Sequence, residues 1–142
     1  MNEEMTYCVE QLKKLCAIDS PTGKTNAAAE YLLKELTALG YQPIKTRKGG
    51  VCVCLGGEGH PLLAMAHVDT LGAIVASIKA NGRLVLSPIG GLQPENCETE
   101  TCVIYTRFDG TYTGTLQLNN ASVHVNKDYS ETRRIFQNME VV

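Results

Sequence analysis

No stretch of this 142-residue sequence approaches the roughly 18 to 20 consecutive apolar residues that a membrane-spanning helix requires, so no membrane partner is expected. An excess of charge of one sign is equally lacking. Seven basic and eight acidic residues fall in 1–70, six and seven in 71–142, and the formal net charge is −2. Without a basic stripe to attract phosphates, nucleic acid is not an expected partner. The opening residues place Glu3 and Glu4 where a secretory leader would carry positive charge and then an apolar run, so a cytoplasmic location is expected. Internal repeats and low-complexity tracts are missing too. So is tryptophan, and histidine occurs only at His60, His67 and His124, which limits where an imidazole-based site can form.

The six cysteines, Cys8, Cys16, Cys52, Cys54, Cys97 and Cys102, follow no zinc-ribbon or redox spacing. In a cytoplasmic protein they read as free thiols. Cys52 and Cys54, two apart on an extended segment, share a face and read as small core hydrophobes.

What is present is the composition of a globular chain, 44% hydrophobic and 20% charged, enough for one ordinary domain or two small ones. Met5, Cys8, Val9, Leu12, Leu15 and Cys16 recur at helical spacing and predict a helix over about 6–18. Asp19-Ser20-Pro21-Thr22-Gly23 breaks it. A second helix is predicted over about 26–39, capped by Thr25 or Asn26 and stopped by Gly40. Strands are expected over 41–46, 51–55 and 62–66, the last apolar without alternation and so suited to burial on both faces of a helix-covered sheet. From Leu71 the character changes to short strands. Asn81-Gly82 and Asp109-Gly110 each predict a hairpin, a short helix fits within 130–138, and 139–142 reads as a further strand. The second part is thus expected to be a mostly antiparallel barrel or small sandwich.

Ala66-His67-Val68-Asp69-Thr70-Leu71-Gly72 follows the apolar 62–66 run, at the strand edge where α/β folds gather their sites. A histidine two residues before an aspartate presents both side chains on one side of an extended segment. That pattern suits a metal–imidazole bond in which the carboxylate holds the ring's other nitrogen. It equally suits a purely structural hydrogen-bonded pair, because metal sites need several clustered ligands. His60, in a glycine-rich turn, reads as solvated, and His124 as polar structure or interface. Glu3-Glu4, the only adjacent glutamates, favour a helix start.

The ordered set Leu15-Cys16-Ala17-Ile18-Asp19-Ser20-Pro21-Thr22-Gly23, Leu39-Gly40-Tyr41, Leu63 through Val75 around His67-Val68-Asp69, Ile78 through Gly82, Ser87-Pro88-Ile89-Gly90-Gly91 and Ala121 through Asn126 resembles the start of the tetrahedral aminopeptidases. This dinuclear-metal family includes glutamyl and deblocking aminopeptidases and relatives labelled endoglucanases, and the resemblance covers nearly the whole chain. It implies an α/β fold class: the N-terminal part of a helix-flanked metallopeptidase sheet over 1–70, then a mostly antiparallel, β-barrel-like dimerisation domain over 71–142, truncated at its end. It implies the front portion of a metal-dependent aminopeptidase that removes N-terminal residues from peptides, inactive alone. His67 would be a metal ligand and Asp69 its orienting partner. The remaining ligands and the general base would lie beyond this chain. Two divalent ions per active site, zinc or cobalt, are implied, with a peptide substrate and a homo-oligomer in which dimers build a dodecamer. Two positions depart from the family: Lys48-Gly49-Gly50-Val51 lacks the usual Asp and Gly-Asn pattern, and Thr70 replaces a common acidic residue. A non-catalytic assembly module, or a related metal-dependent amidohydrolase or deacetylase, are the alternative readings.

Overall fold

The computed structural model describes residues 2–142. The chain divides into two compact units, one running to Leu71 and the other spanning Gly72–Val142.

The first unit opens with helix α1, Glu3–Cys16. Asn2 Oδ1 accepts the Met5 N–H at 2.9 Å, and Glu3 and Glu4 in the first turn and Lys13 and Lys14 in the last complement the helix dipole. Helix α2, Asn26–Ala38, has Thr25 at its N-cap position, but no side chain caps it. Its far end is better closed. Gly40 N–H donates to Thr37 and Tyr41 N–H to Leu36, the paired bonds of a Schellman motif. The two helices meet through polar side chains: Glu35 Oε1 accepts from Tyr7 Oη and Gln11 Nε2, each at 2.8 Å, and Tyr31 Oη donates to Gln11 Oε1. No residue of α1 is buried, and Leu12 is 62% exposed, so its apolar stripe is largely uncovered.

Strands are sparse in this unit. The two expected over 41–46 and 51–55 contract to β1, Ile44–Lys45, and β2, Val51–Cys52, an antiparallel pair. The strand expected over 62–66 does not form. Leu62 is 95% exposed and Met65 84%, and the segment makes no strand ladder among the described residues. A strand exists only through its neighbours, and here none is supplied. The same cause corrects the reading of Cys52 and Cys54, which are exposed rather than core. All six cysteines are free.

The second unit is an antiparallel sheet of five strands: β3 Gly72–Ile78, β4 Leu84–Ile89, β5 Thr101–Tyr105, β6 Thr111–Leu118 and β7 Met139–Val141. Their spatial order is β3-β4-β7-β6-β5. Asn81-Gly82 turns β3 into β4: Gly82 N–H donates to Lys79 O, Lys79 N–H donates to Arg83 O, and Gly82 takes φ +84°, which only glycine adopts freely. The edge strands do not pair with each other, yet Val75 and Ile78 of β3 line the same groove, about 660 Å³, as Ile104 and Tyr105 of β5. A flat sheet would hold those edges about four strand spacings, nearly 20 Å, apart. The sheet is therefore curled into an open half-barrel.

The core lies on its inner face. Along β6, Gly114, Leu116 and Leu118 are buried while Thr115 and Gln117 are less so, the period of two expected of a half-buried strand. Leu116 pairs with Val141 and Leu118 with Met139, and Phe136 completes the buried cluster. The helix expected within 130–138 is reduced to a 3-10 turn, Phe136–Asn138. In the preceding segment Arg134 Nη1 donates to the carbonyls of Tyr129 and Thr132 at 3.0 and 2.8 Å, which stabilises a turned, non-helical backbone.

Candidate metal-binding site

The site is built in the first unit from two segments 47 residues apart. Pro21 to Lys24 form a tight turn in which Lys24 N–H donates to Pro21 O at 2.8 Å. Gly23 occupies the turn's third position with φ +93°, the conformation a type II turn demands there. This turn is fastened to the segment 68–70 at three points. Ser20, fully buried, donates from Oγ to Val68 O at 2.7 Å; Thr70 N–H donates to Ser20 O at 2.9 Å; and Pro21 and Thr70 form a parallel bridge. Those contacts hold an otherwise unpaired extended segment in place.

On that segment the structure brings His67 and Asp69 together. His67 Nδ1 lies 3.1 Å from Asp69 Oδ1 and 3.2 Å from the Asp69 carbonyl oxygen. The other carboxylate oxygen, Oδ2, accepts from Thr22 Oγ1 at 2.8 Å. The Thr22 hydroxyl holds the Asp69 carboxyl below its ordinary 3.8 against the upward push of partial burial, and the His67 contact adds to the lowering. An ionised carboxylate and a carbonyl can only accept, so Nδ1 must carry the proton. In the neutral ring Nε2 then carries the lone pair, on a side chain that is 85% exposed.

A cavity of about 630 Å³ opens beside the pair, lined among others by Thr22, Asn26, Arg47, Lys48, His67 and Asp69. Its cationic wall comes from the β1–β2 turn. Lys45 is paired with Glu30 at 2.8 Å, whereas Arg47 and Lys48 have no ion-pair partner among the described residues.

The other two histidines, His60 and His124, are both exposed. Among the described residues no group of three or more His, Cys, Asp or Glu side chains gathers as a metal site would require. The residues present fit a metal centre to the extent of one imidazole ligand with an orienting carboxylate. Ser20, which fastens the segment, and Thr22, which polarises the pair, had no site role in the sequence reading, which took Asp19 to Gly23 as a helix break and as part of the stretch that carries the resemblance. A serine and a threonine flanking the proline of that turn were the available signal.

The sequence profile of the M42 glutamyl aminopeptidases matches residues 49–142. The chain belongs to that family. A Bacillus subtilis (strain 168) protein, YhfE, described provisionally as an aminopeptidase, is 40% identical over 136 residues, covering 94% of this chain and 39% of its own length. Among solved structures, the TET aminopeptidase of the marine sediment archaeon Thaumarchaeota archaeon SCGC AB-539-E09 superposes with a TM-score of 0.83 at 20% identity, over 98% of this chain and 38% of that one. The Pyrococcus horikoshii TET1 peptidase, described as assembling into a tetrahedron or a large octahedral shell, gives 0.77 at 21% identity, over 94% and 39%. At such identities these structures speak to the fold alone. This M42 chain spans about two-fifths of the length of each of these three proteins.

Proposed function

We propose that this M42 chain is the front portion of a metal-dependent aminopeptidase acting on peptides, with His67 supplying one metal ligand through Nε2 and Asp69 holding the ring by Nδ1. Residues 1–70 would be the first part of the catalytic domain, and 71–142 the inserted domain through which copies associate. The observation that carries the reading is the run of hydrogen bonds from Thr22 through Asp69 to His67, which leaves a bare, exposed imidazole nitrogen beside a cavity. The chemistry supplied by a bound pair of divalent ions, zinc or cobalt, is activation of water and polarisation of the peptide carbonyl. This chain's own part is narrower: it presents one nitrogen donor, fixes its tautomer and walls one side of the cavity. Further ligands and a general base fall to the remainder of a full-length M42 polypeptide, so the 142 residues alone are expected to be inactive.

Metal content by mass spectrometry after dialysis against zinc or cobalt tests this. We expect well under one ion per chain, falling to background in His67→Ala. Stoichiometric metal that survives the substitution would overturn the assignment.

Association through the second unit and residence in the cytoplasm belong to the same proposal. The P. horikoshii neighbour's assembly and the curled sheet, which has a core of its own, support the first. Among the described residues no helix is long and apolar enough to cross a membrane. Light scattering showing a monomer at every concentration would remove the association.

A further inference from the structure

We infer that Thr22 is a positioning residue of the proposed site, setting which nitrogen of His67 is free, although it is 45 residues away in sequence and belongs to a turn between helices. The inference rests on His67 acting as a ligand, and it adds the device that makes it one.

Asp69 has two oxygens and a rotatable carboxylate. With Oδ2 held elsewhere, Oδ1 stays in line with the imidazole, beside the Asp69 carbonyl oxygen that lies 3.2 Å from the same ring nitrogen. Thr22 Oγ1 supplies that hold at 2.8 Å, while Oδ1 meets Nδ1 at 3.1 Å. The hydroxyl donates to the carboxylate and the carboxylate accepts from the ring, so the direction of every hydrogen bond is settled by what each group can do. The turn that carries Thr22 is not free to drift: Ser20 is locked to Val68 and Thr70 on either side of Asp69, and the Pro21–Gly23 turn fixes the intervening backbone. A hydroxyl at position 22 therefore acts on His67 through Asp69, and the neutral ring is kept in its Nδ1–H form. That is the form with Nε2 available to a cation. In water a free neutral imidazole favours the opposite tautomer, so the bias is measurable.

The test is nitrogen-15 NMR of the histidine-labelled 142-residue chain, metal-free, at a pH where the rings are neutral, with His67→Gln identifying the His67 signals. Wild type should show His67 mainly as Nδ1–H. Removing the hydroxyl in Thr22→Val and in Thr22→Ala should lower the ratio of Nδ1–H to Nε2–H by about threefold, as loss of one ordinary hydrogen bond implies. Thr22→Ser, which keeps the hydroxyl, should stay close to wild type. Zinc titration followed by the same His67 signals should weaken in parallel, and circular dichroism will establish that each variant is folded. If the two hydroxyl-free variants keep the wild-type ratio while Asp69→Ala shifts it, Thr22 does not position the pair and the inference falls alone. If Thr22→Ser shifts as far as Thr22→Val, side-chain packing rather than the hydroxyl is responsible, and it falls as well. If even Asp69→Ala, which removes the side-chain acceptor, leaves the ratio unchanged, the His67–Asp69 side-chain pairing beneath the proposed function fails with it.

Discussion

Lys79 Nζ donates to Glu140 Oε2 at 2.6 Å, from a side chain one-third exposed to a carboxylate only 2% exposed. Arg83 reaches the other carboxylate oxygen. Lys79 follows β3 and Arg83 precedes β4, so both ends of one turn are tied to β7. The backbone contributes little there, since β4 and β7 share a single paired position, Leu84 with Val141. Side chains thus carry much of the attachment between that hairpin and the rest of the sheet.

The cost of breaking this arrangement should depend on which side is removed. In the double variant Lys79→Met/Arg83→Met a buried carboxylate is left without a cation, and stability should fall by about 3 kcal/mol. Glu140→Gln leaves two partly exposed cations that water can serve, and should cost less. Urea unfolding followed by circular dichroism compares them.

Glu140 also sets an acid limit. Burial pushes its carboxyl up, but the hydrogen bonds from Lys79 and Arg83 outweigh that and hold it below its ordinary 4.5. The unfolded chain then binds a proton more readily than the folded one. The contribution is fully present above 4.5 and is lost as pH falls through the lower folded value. Wild type should lose stability over that interval more steeply than Glu140→Gln; equal slopes would show that another carboxylate governs acid unfolding.

Tyr7 gives a second titration, of opposite sign. Its hydroxyl donates to Glu35, and loss of that hydrogen bond, with some desolvation and the nearby carboxylate charge, pushes its pKa up to about 12 from 10.0. The contact between α1 and α2 should persist below 10 and be lost as pH rises through about 12. In an ultraviolet titration, Tyr7→Phe should remove one tyrosine's amplitude from the highest part of the curve; an unchanged upper part would show that the Tyr7–Glu35 bond does not hold the phenol.

Two substitutions, one within β6 and one beside it, should act in opposite directions. A Cβ on Gly114 would sit 2.4 Å from Val141 Cγ1 and 3.0 Å from the Val142 carbonyl oxygen, so Gly114→Ala should destabilise by roughly 1 to 3 kcal/mol. Thr99, exposed and β-branched, has φ 70°, a conformation costing on the order of 1 kcal/mol that asparagine tolerates better. Thr99→Asn should raise the melting temperature.

The uncovered apolar segment makes its own prediction. Leu63 is 77% exposed and Met65 84%, so little burial is lost when they are made polar. Leu63→Lys/Met65→Lys should reduce dye binding and light scattering of the 142-residue chain and leave its melting temperature within about 1 °C. A large drop in melting temperature would mean the segment is packed.

Where sequence reading succeeded, the signal was local. Gly40 stops α2 through bonds reaching no further than Leu36, and Asn81-Gly82 and Asp109-Gly110 turn their hairpins within five residues. His67 and Asp69 were legible for the same reason, being two apart on one extended segment. Apart from 130–138, where the partners are local, the misses required a distant partner. Residues 62–66 have strand composition but no neighbour to pair with, and Cys52 and Cys54 lose their cover for that reason. Ser20 and Thr22 matter only through segments about fifty residues away. In 130–138, the bonds from Arg134 to the Tyr129 and Thr132 carbonyls stabilise a turned backbone where composition alone suggested a helix.

The central place of β7 in the sheet has a consequence for how the second unit is made. Hairpins β3–β4 and β5–β6 consist of near neighbours and can form within microseconds of leaving the ribosome. The strand that joins them is the last of the five to be synthesised, some twenty residues after β6. Until Met139–Val141 emerges, two half-sheets wait with open edges. Assembly of this unit is therefore timed by translation, and a pause over 119–138 would prolong the interval in which those edges can find the wrong partner.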